Sequence, residues 1–161
     1  MRSEQEICAA IDRYADSVRR ICMLYLKDSD DTEDIFQDVF LKYALCDTVF
    51  DSSDHEKAWL IKVTINRCKD FLKSFFVSRM VPLDMVPELP EDLPPDYSEV
   101  LAAVLGLPKK YKEVIYLHYY EGYTAPEIGK LLGKNVNTVY TLMNRGKMLL
   151  KKELEGIGYG K

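Results

Sequence analysis

Long apolar runs are missing from this sequence: nowhere do about 18 uncharged apolar residues follow one another, the length a bilayer-spanning helix needs. The opening residues, M-R-S-E-Q-E, begin an acidic amphipathic segment without the basic-then-apolar character of a secretory leader. These absences point to a cytoplasmic protein with no membrane insertion of its own. Histidine is scarce, with His55 and His118 alone, and Cys8, Cys22, Cys46 and Cys68 are widely spaced with no C-x-x-C pair. Structural zinc needs clustered thiolates and imidazoles, so no metal site is expected, and the thiols read as small buried or half-buried apolar groups. A Gly-rich phosphate loop, H-E-x-x-H, a nucleophile elbow and a paired Cys–His arrangement are lacking too. No catalytic residue and no cofactor are expected, and the chain reads as a non-enzyme.

What the chain does have is helical periodicity and an uneven charge map. With 47% apolar and 30% charged residues it can bury packed cores, and 161 residues allow one domain or two small ones. Residues 1–76 hold eleven Lys/Arg against fifteen Asp/Glu, residues 77–98 one against five, and residues 99–161 ten against six. An acidic front and a basic back imply two working surfaces, the second able to attract phosphate. Residues 77–98 also carry five of the seven prolines, which excludes a regular helix and marks a domain boundary. The expected architecture is all-α: a helical domain over 1–76, a flexible acidic linker over 77–98, and a second helical domain over 99–161.

In the front domain, Ser3 with Glu6 forms a capping box, and Ile7, Ile11, Tyr14, Val18, Ile21 and Tyr25 recur at helical spacing after it. Asp31 is placed to cap a second helix with Ile35, Phe36, Val39, Phe40 and Tyr43 inward and Asp34, Gln37, Asp38 and Leu41 outward. Ser53 with Glu56 opens a third helix whose core stripe is Ile61, Ile65, Cys68 and Leu72. Lys62, Arg67, Lys69 and Lys73 give that helix a basic flank, and Trp59 is expected to pack rather than to stack on a base.

In the back domain, Ser98 caps a short helix ended by Gly106, and Pro108 begins another, on which His118 has no partner by spacing. Thr124 and Glu127 form a capping box with Pro126 in the first turn, and Gly133 supplies the left-handed stop. Asn135 then caps a helix with Val139, Leu142, Met143, Leu149 and Leu150 on its buried side. This is the pattern of a helix-turn-helix, whose second helix enters the DNA major groove.

The run L-P-K-K-Y-K-E-V-I-Y-L-H-Y-Y-E-G-Y-T-A-P-E-I-G-K-L-L-G, followed by T-V and R-G-K, resembles region 4 of bacterial RNA polymerase sigma factors of the sigma-70 family, extracytoplasmic-function (ECF) group. In the front domain, E-D-I-F-Q-D-V-F-L is similar to region 2.2, and A-W-L followed by N-R and D-F-L is similar to regions 2.3 and 2.4. The resemblance covers nearly the whole chain. It implies an alternative sigma factor with core RNA polymerase, promoter DNA and an anti-sigma factor as partners.

By that resemblance Asp34, Gln37, Asp38 and Leu41 dock on the polymerase. Phe50, Lys62, Asn66, Arg67 and Lys69 serve the start-proximal promoter element, with the Asp47–Ser53 loop building a pocket for an unstacked base. Asn135, Asn137, Thr138, Tyr140, Thr141, Asn144, Arg145 and Lys147 serve the upstream element, where Asn and Arg can pair bidentately with purine edges. The chain departs from the family pattern at Lys134, usually aliphatic, at Leu142, frequently Arg, and at Gly129 and Gly146, commonly Ala. Two other readings of the residues are a stand-alone helix-turn-helix regulator, which would need a palindromic site, and a helical protein-interaction adaptor.

Overall fold

The computed structural model describes residues 1–26, 28–79 and 98–156, and among them every regular element is an α-helix. In chain order these are α1 (Glu4–Tyr25), α2 (Ser29–Leu45), α3 (Ser53–Arg79), α4 (Glu99–Leu105), α5 (Lys109–Tyr119), α6 (Ala125–Leu132) and α7 (Val136–Gly156). The chain divides into two compact units, Met1–Met85 and Val86–Lys161. Most of the acidic linker expected over 77–98 lies outside the described residues. Where its ends are described, α3 continues through Arg79 and Ser98 caps α4.

In the first unit α1, α2 and α3 pack against one another in all three pairs. The apolar rows predicted from spacing close over a core in which Val18, Ile21, Cys22, Leu24, Ile35, Val39, Leu60, Ile61, Ile65 and Cys68 are each at most 1% exposed. Fully burying one such aliphatic side chain contributes about 1.5–3 kcal/mol, so the stripes rather than helix propensity hold the bundle. Burial, with the neighbouring Cys22 thiol next, pushes the Cys68 thiol well up, so this pair behaves as packing material.

Two caps differ from expectation. Asp28, not Asp31, caps α2, its Oδ1 accepting from the Asp30 N–H at 2.7 Å. At α3 the cap is Ser52, whose Oγ accepts from the His55 N–H at 3.1 Å. Glu56 is drawn away instead: it accepts from the Tyr43 hydroxyl at 2.7 Å and pairs with Arg13 at 3.8 Å. The Tyr14 hydroxyl donates to the Ser53 carbonyl at 3.1 Å, tying the start of α3 to α1.

The second unit packs α7 against α4, α5 and α6. Ser98, Thr124 and Asn135 cap their helices as predicted, with the Thr124–Glu127 box closed in both directions. Gly133 takes φ 67°, the left-handed conformation that turns α6 into α7. His118 does have a partner: its Nδ1 lies 2.8 Å from the Tyr123 carbonyl, across the turn that follows α5.

The departures from the family pattern at Gly129 and Gly146 have local causes. A Cβ on Gly129 would lie 2.7 Å from the Lys134 carbonyl oxygen, and one on Gly146 would lie 2.9 Å from Ile115 Cγ1. The helix-turn-helix corner and the α5–α7 contact are both too close for an added methyl.

Candidate nucleic-acid and docking surfaces

Along α2, Asp34, Gln37, Asp38 and Leu41 are all exposed, and their spacing of three and four sets them on one helix face. Leu41 is 59% exposed, and Leu45, one turn further on and equally exposed, extends the same stripe. Sequence reading missed Leu45, although its position four residues past Leu41 was the available signal. An acidic face ending in two uncovered leucines can meet a basic partner surface through charge and then bury apolar area.

On α3, Lys62 and Asn66 are exposed, in line with His55 and Trp59 at steps of four, three and four, and Lys69 is half-buried at the edge of that stripe. Arg67 turns toward α2 instead, its guanidinium 2.6 Å from Asp38. Phe50, expected in the base-contacting set, is half-buried: its ring stacks parallel to Tyr43 at 6.3 Å and meets His55 at 5.1 Å and Trp59 at 5.8 Å edge-on. It anchors the loop from inside, while Asp47, Thr48 and Val49 are exposed at the tip, Val49 at 85%. Trp59 is half-buried in this cluster, between the expected core position and a solvent-facing one.

Burial, then the hydrogen bond to Glu56, pushes the Tyr43 hydroxyl up to about 12. Partial burial pushes the Cys46 thiol up, but the Thr48 donors and Arg2 outweigh it, and the net shift is downward.

In the second unit the start of α7 is fixed by Asn135 Oδ1, which accepts from the Asn137 N–H at 2.8 Å, and by the Thr141 hydroxyl, which donates to the Asn137 carbonyl at 3.1 Å. Asn137, Thr138, Tyr140, Thr141, Asn144 and Arg145 are all exposed, and they are brought together on the outer side of α7 opposite Val139, Leu142, Met143 and Gly146. Leu142 faces the core, so the position where the family frequently has Arg offers no contact here. Lys147 is also exposed, one turn beyond Asn144, with its Nζ 5.6 Å from the Tyr119 ring centre on α5. Arg145 also borders an open groove of about 540 Å³ with Tyr111, Met148 and Leu149. Among the described residues no group of three or more His, Cys, Asp or Glu could hold a metal, and no helix is long and apolar enough to cross a membrane.

Two family profiles match this chain: "Sigma-70 region 2" over residues 10–74 and "Sigma-70, region 4" over residues 97–150, together nearly three quarters of its length. The chain belongs to the sigma-70 family of RNA polymerase sigma factors. Among its relatives is the ECF RNA polymerase sigma factor SigW of Bacillus subtilis, 28% identical over 91% of this chain and 88% of that protein. The RNA polymerase sigma factor SigV of the same organism is 27% identical over 84% and 82%. The fold is similar to that of the sigma factor RpoE of Bartonella quintana, solved in complex with the anti-sigma factor NepR, with TM-score 0.76 and 18% identity over 94% of this chain and 98% of that one. It is also similar to CnrH, solved with the cytosolic domain of CnrY, with TM-score 0.63 and 22% identity over 96% and 90%. This sigma factor is of the ECF type and directs promoter recognition for transcription initiation.

Proposed function

We propose that the work of promoter recognition is divided between the two units, with three surfaces. The α2 face of Asp34, Gln37, Asp38 and Leu41, extended by Leu45, docks the sigma factor on core polymerase. The 47–53 loop, with Phe50 as its anchor and Lys62, Asn66, Arg67 and Lys69 along α3, opens and reads the start-proximal element. The outer face of α7, from Asn135 to Arg145 with Lys147 beside it, reads the upstream element in the major groove. The segment between Arg79 and Ser98 is the linker between the two readers. The observation that carries this division is that the α2 set, the loop tip with Lys62 and Asn66, and the α7 set are exposed on different elements, with the docking face acidic and the α7 face built of amides, hydroxyls and a guanidinium.

This sigma factor performs no catalysis of its own and works in the cytoplasm, a reading supported by the family and by the absence of a membrane-crossing helix among the described residues. The anti-sigma factor NepR bound to one fold neighbour supports an inhibitory partner for this chain as well. Substituting Asp34→Ala together with Leu41→Ala tests the docking surface: affinity for core polymerase falls about tenfold or more, at the scale of a lost hot spot, while the isolated chain keeps its fold. Unchanged affinity in the double variant would sink the assignment of α2.

A further inference from the structure

Arg2 reaches from the segment before α1 into the loop that joins α2 to α3. Its Nε donates to the Tyr43 carbonyl at 3.1 Å, one terminal nitrogen donates to the Thr48 carbonyl, and its backbone N–H donates to the Ala44 carbonyl at 2.9 Å. The guanidinium lies 4.5 Å from the centre of the Tyr43 ring and 5.0 Å from that of Phe50. Glu6 pairs with its other terminal nitrogen at 3.5 Å, and the Arg2 side chain is 14% exposed. One planar group thus joins the last turn of α2, the carbonyl beside the loop tip, and the aromatic ring that anchors the loop from inside.

Other ties to the loop are few: the Met1 ammonium meets Asp47 Oδ1 at 3.4 Å at the exposed tip. Thr48 N–H donates to Cys46 Sγ at 3.3 Å near one end, and Asp51 N–H donates to His55 Nδ1 at 3.1 Å near the other. Ordering a residue's backbone costs about 1–2 kcal/mol, and a loop already held in its binding form does not meet that cost again when a base arrives. We propose that Arg2 is a positioning residue for the start-proximal element: its bridge from the Tyr43 carbonyl to the Thr48 carbonyl, with the guanidinium over the Phe50 ring, holds the loop tip of Asp47, Thr48 and Val49 in the form that reads the unstacked base. This rests on the reading that the 47–53 loop meets that base. Arg2 itself touches no DNA in this role. A lysine cannot replace it, because a single ammonium lacks the planar fork that reaches two carbonyls and lies flat on a ring.

The test uses the full chain with core polymerase, on a promoter carrying a fluorescent base that brightens when it unstacks in the start-proximal element. Arg2→Ala and Arg2→Lys each slow opening on the order of tenfold, the scale of a small misplacement at a recognition site. The upstream preference in a promoter library is retained, and the emission of Trp59, the chain's single tryptophan, shifts as the Phe50 cluster loosens. Added to a tip variant (Asp47→Ala, Thr48→Ala, Val49→Ala), Arg2→Ala causes no further loss, because both act through one loop.

Wild-type opening by Arg2→Ala beside a defective tip variant would overturn the role of Arg2 alone. Losses that multiply would show Arg2 acting apart from the loop. Parallel loss of polymerase binding, upstream recognition and thermal stability would make it a general fold residue. A tip variant that opens the promoter normally would remove the loop reading and this proposal with it.

Discussion

Asp38 and Arg67 form an ion pair of 2.6 Å that joins the α2 face to the basic flank of α3. One residue belongs to the set assigned to polymerase and the other to the set assigned to DNA, so the two surfaces share a boundary. Both side chains are more than a third exposed, and pairs of that kind contribute about 0–1 kcal/mol, which makes this one easy to exchange for an outside charge. Arg67→Gln is expected to leave stability within about 1 kcal/mol of wild type and, if Arg67 passes to a phosphate in the complex, to lower the salt slope of promoter binding by about one. Measuring holoenzyme–promoter affinity across salt concentrations checks this; an unchanged slope assigns Arg67 to the α2–α3 contact alone.

The two glycines at close contacts give opposite predictions from helix propensity. Alanine is favoured over glycine inside a helix by about 1 kcal/mol. At Gly146, however, the added methyl meets the Ile115 side chain at 2.9 Å, and at Gly129 it meets a backbone oxygen at 2.7 Å. Gly146→Ala is expected to destabilise by about 1 kcal/mol and Gly129→Ala by about 2 kcal/mol or more, since a side chain yields more readily than a turn. Urea unfolding of the two variants measures both, and a stabilised Gly129→Ala would contradict the close corner.

Alkaline pH should weaken the first unit through Tyr43. An unfolded tyrosine loses its proton near 10, while this hydroxyl is pushed to about 12. Between those values the unfolded chain binds fewer protons than the folded one, so stability is fully present below about pH 10 and is lost as pH rises toward 12. Tyr43→Phe removes the bond to Glu56, costing about 1–3 kcal/mol near neutrality for a hydrogen bond to a charged group, and flattens the alkaline decline. Denaturant melts at several pH values compare the slopes; identical slopes would mean that Tyr43 does not set them.

On α7, Asn144 and Arg145 are exposed on the outer side, whereas Lys147 lies toward Tyr119. Asn144→Ala is expected to relax base preference at one upstream position by about 1–3 kcal/mol, and Lys147→Ala to leave the preferred sequence unaltered. Sequencing of transcripts from randomised promoters reads both effects, and a changed upstream motif in Lys147→Ala would reverse the assignment.

The helical rows, apart from Leu149, which was expected on the buried side of α7 and is exposed, and most of the caps were legible in the sequence because they depend on residues three or four apart. Thr124 with Glu127, Gly133 and Asn135 needed nothing beyond their own turns. The caps at α2 and α3 were misplaced where several candidates stand together, D-S-D-D and D-S-S-D, and only distant groups decide among them. Glu56 leaves the box it could have closed because Tyr43 and Arg13 take its carboxylate. The reach of Arg2 to Thr48 joins residues 46 positions apart, and no local pattern announces it. The exposed sets on α2 and α7 were readable because a helix shows one face to solvent, whereas Arg67 was drawn off its stripe by Asp38 on α2.

In this reading one chain carries two promoter readers that can be altered separately. Transcription by purified core polymerase from a library of randomised upstream sequences tests it most directly, with wild type, an α7 variant (Asn144→Ala, Arg145→Ala) and the loop-tip variant each supplied in turn. The expected transcripts depend on the chain and share two spaced elements, with the α7 variant changing the upstream element alone and the tip variant the start-proximal one alone. Core polymerase that gains no selectivity from the chain, or variants that alter both elements together, would contradict it.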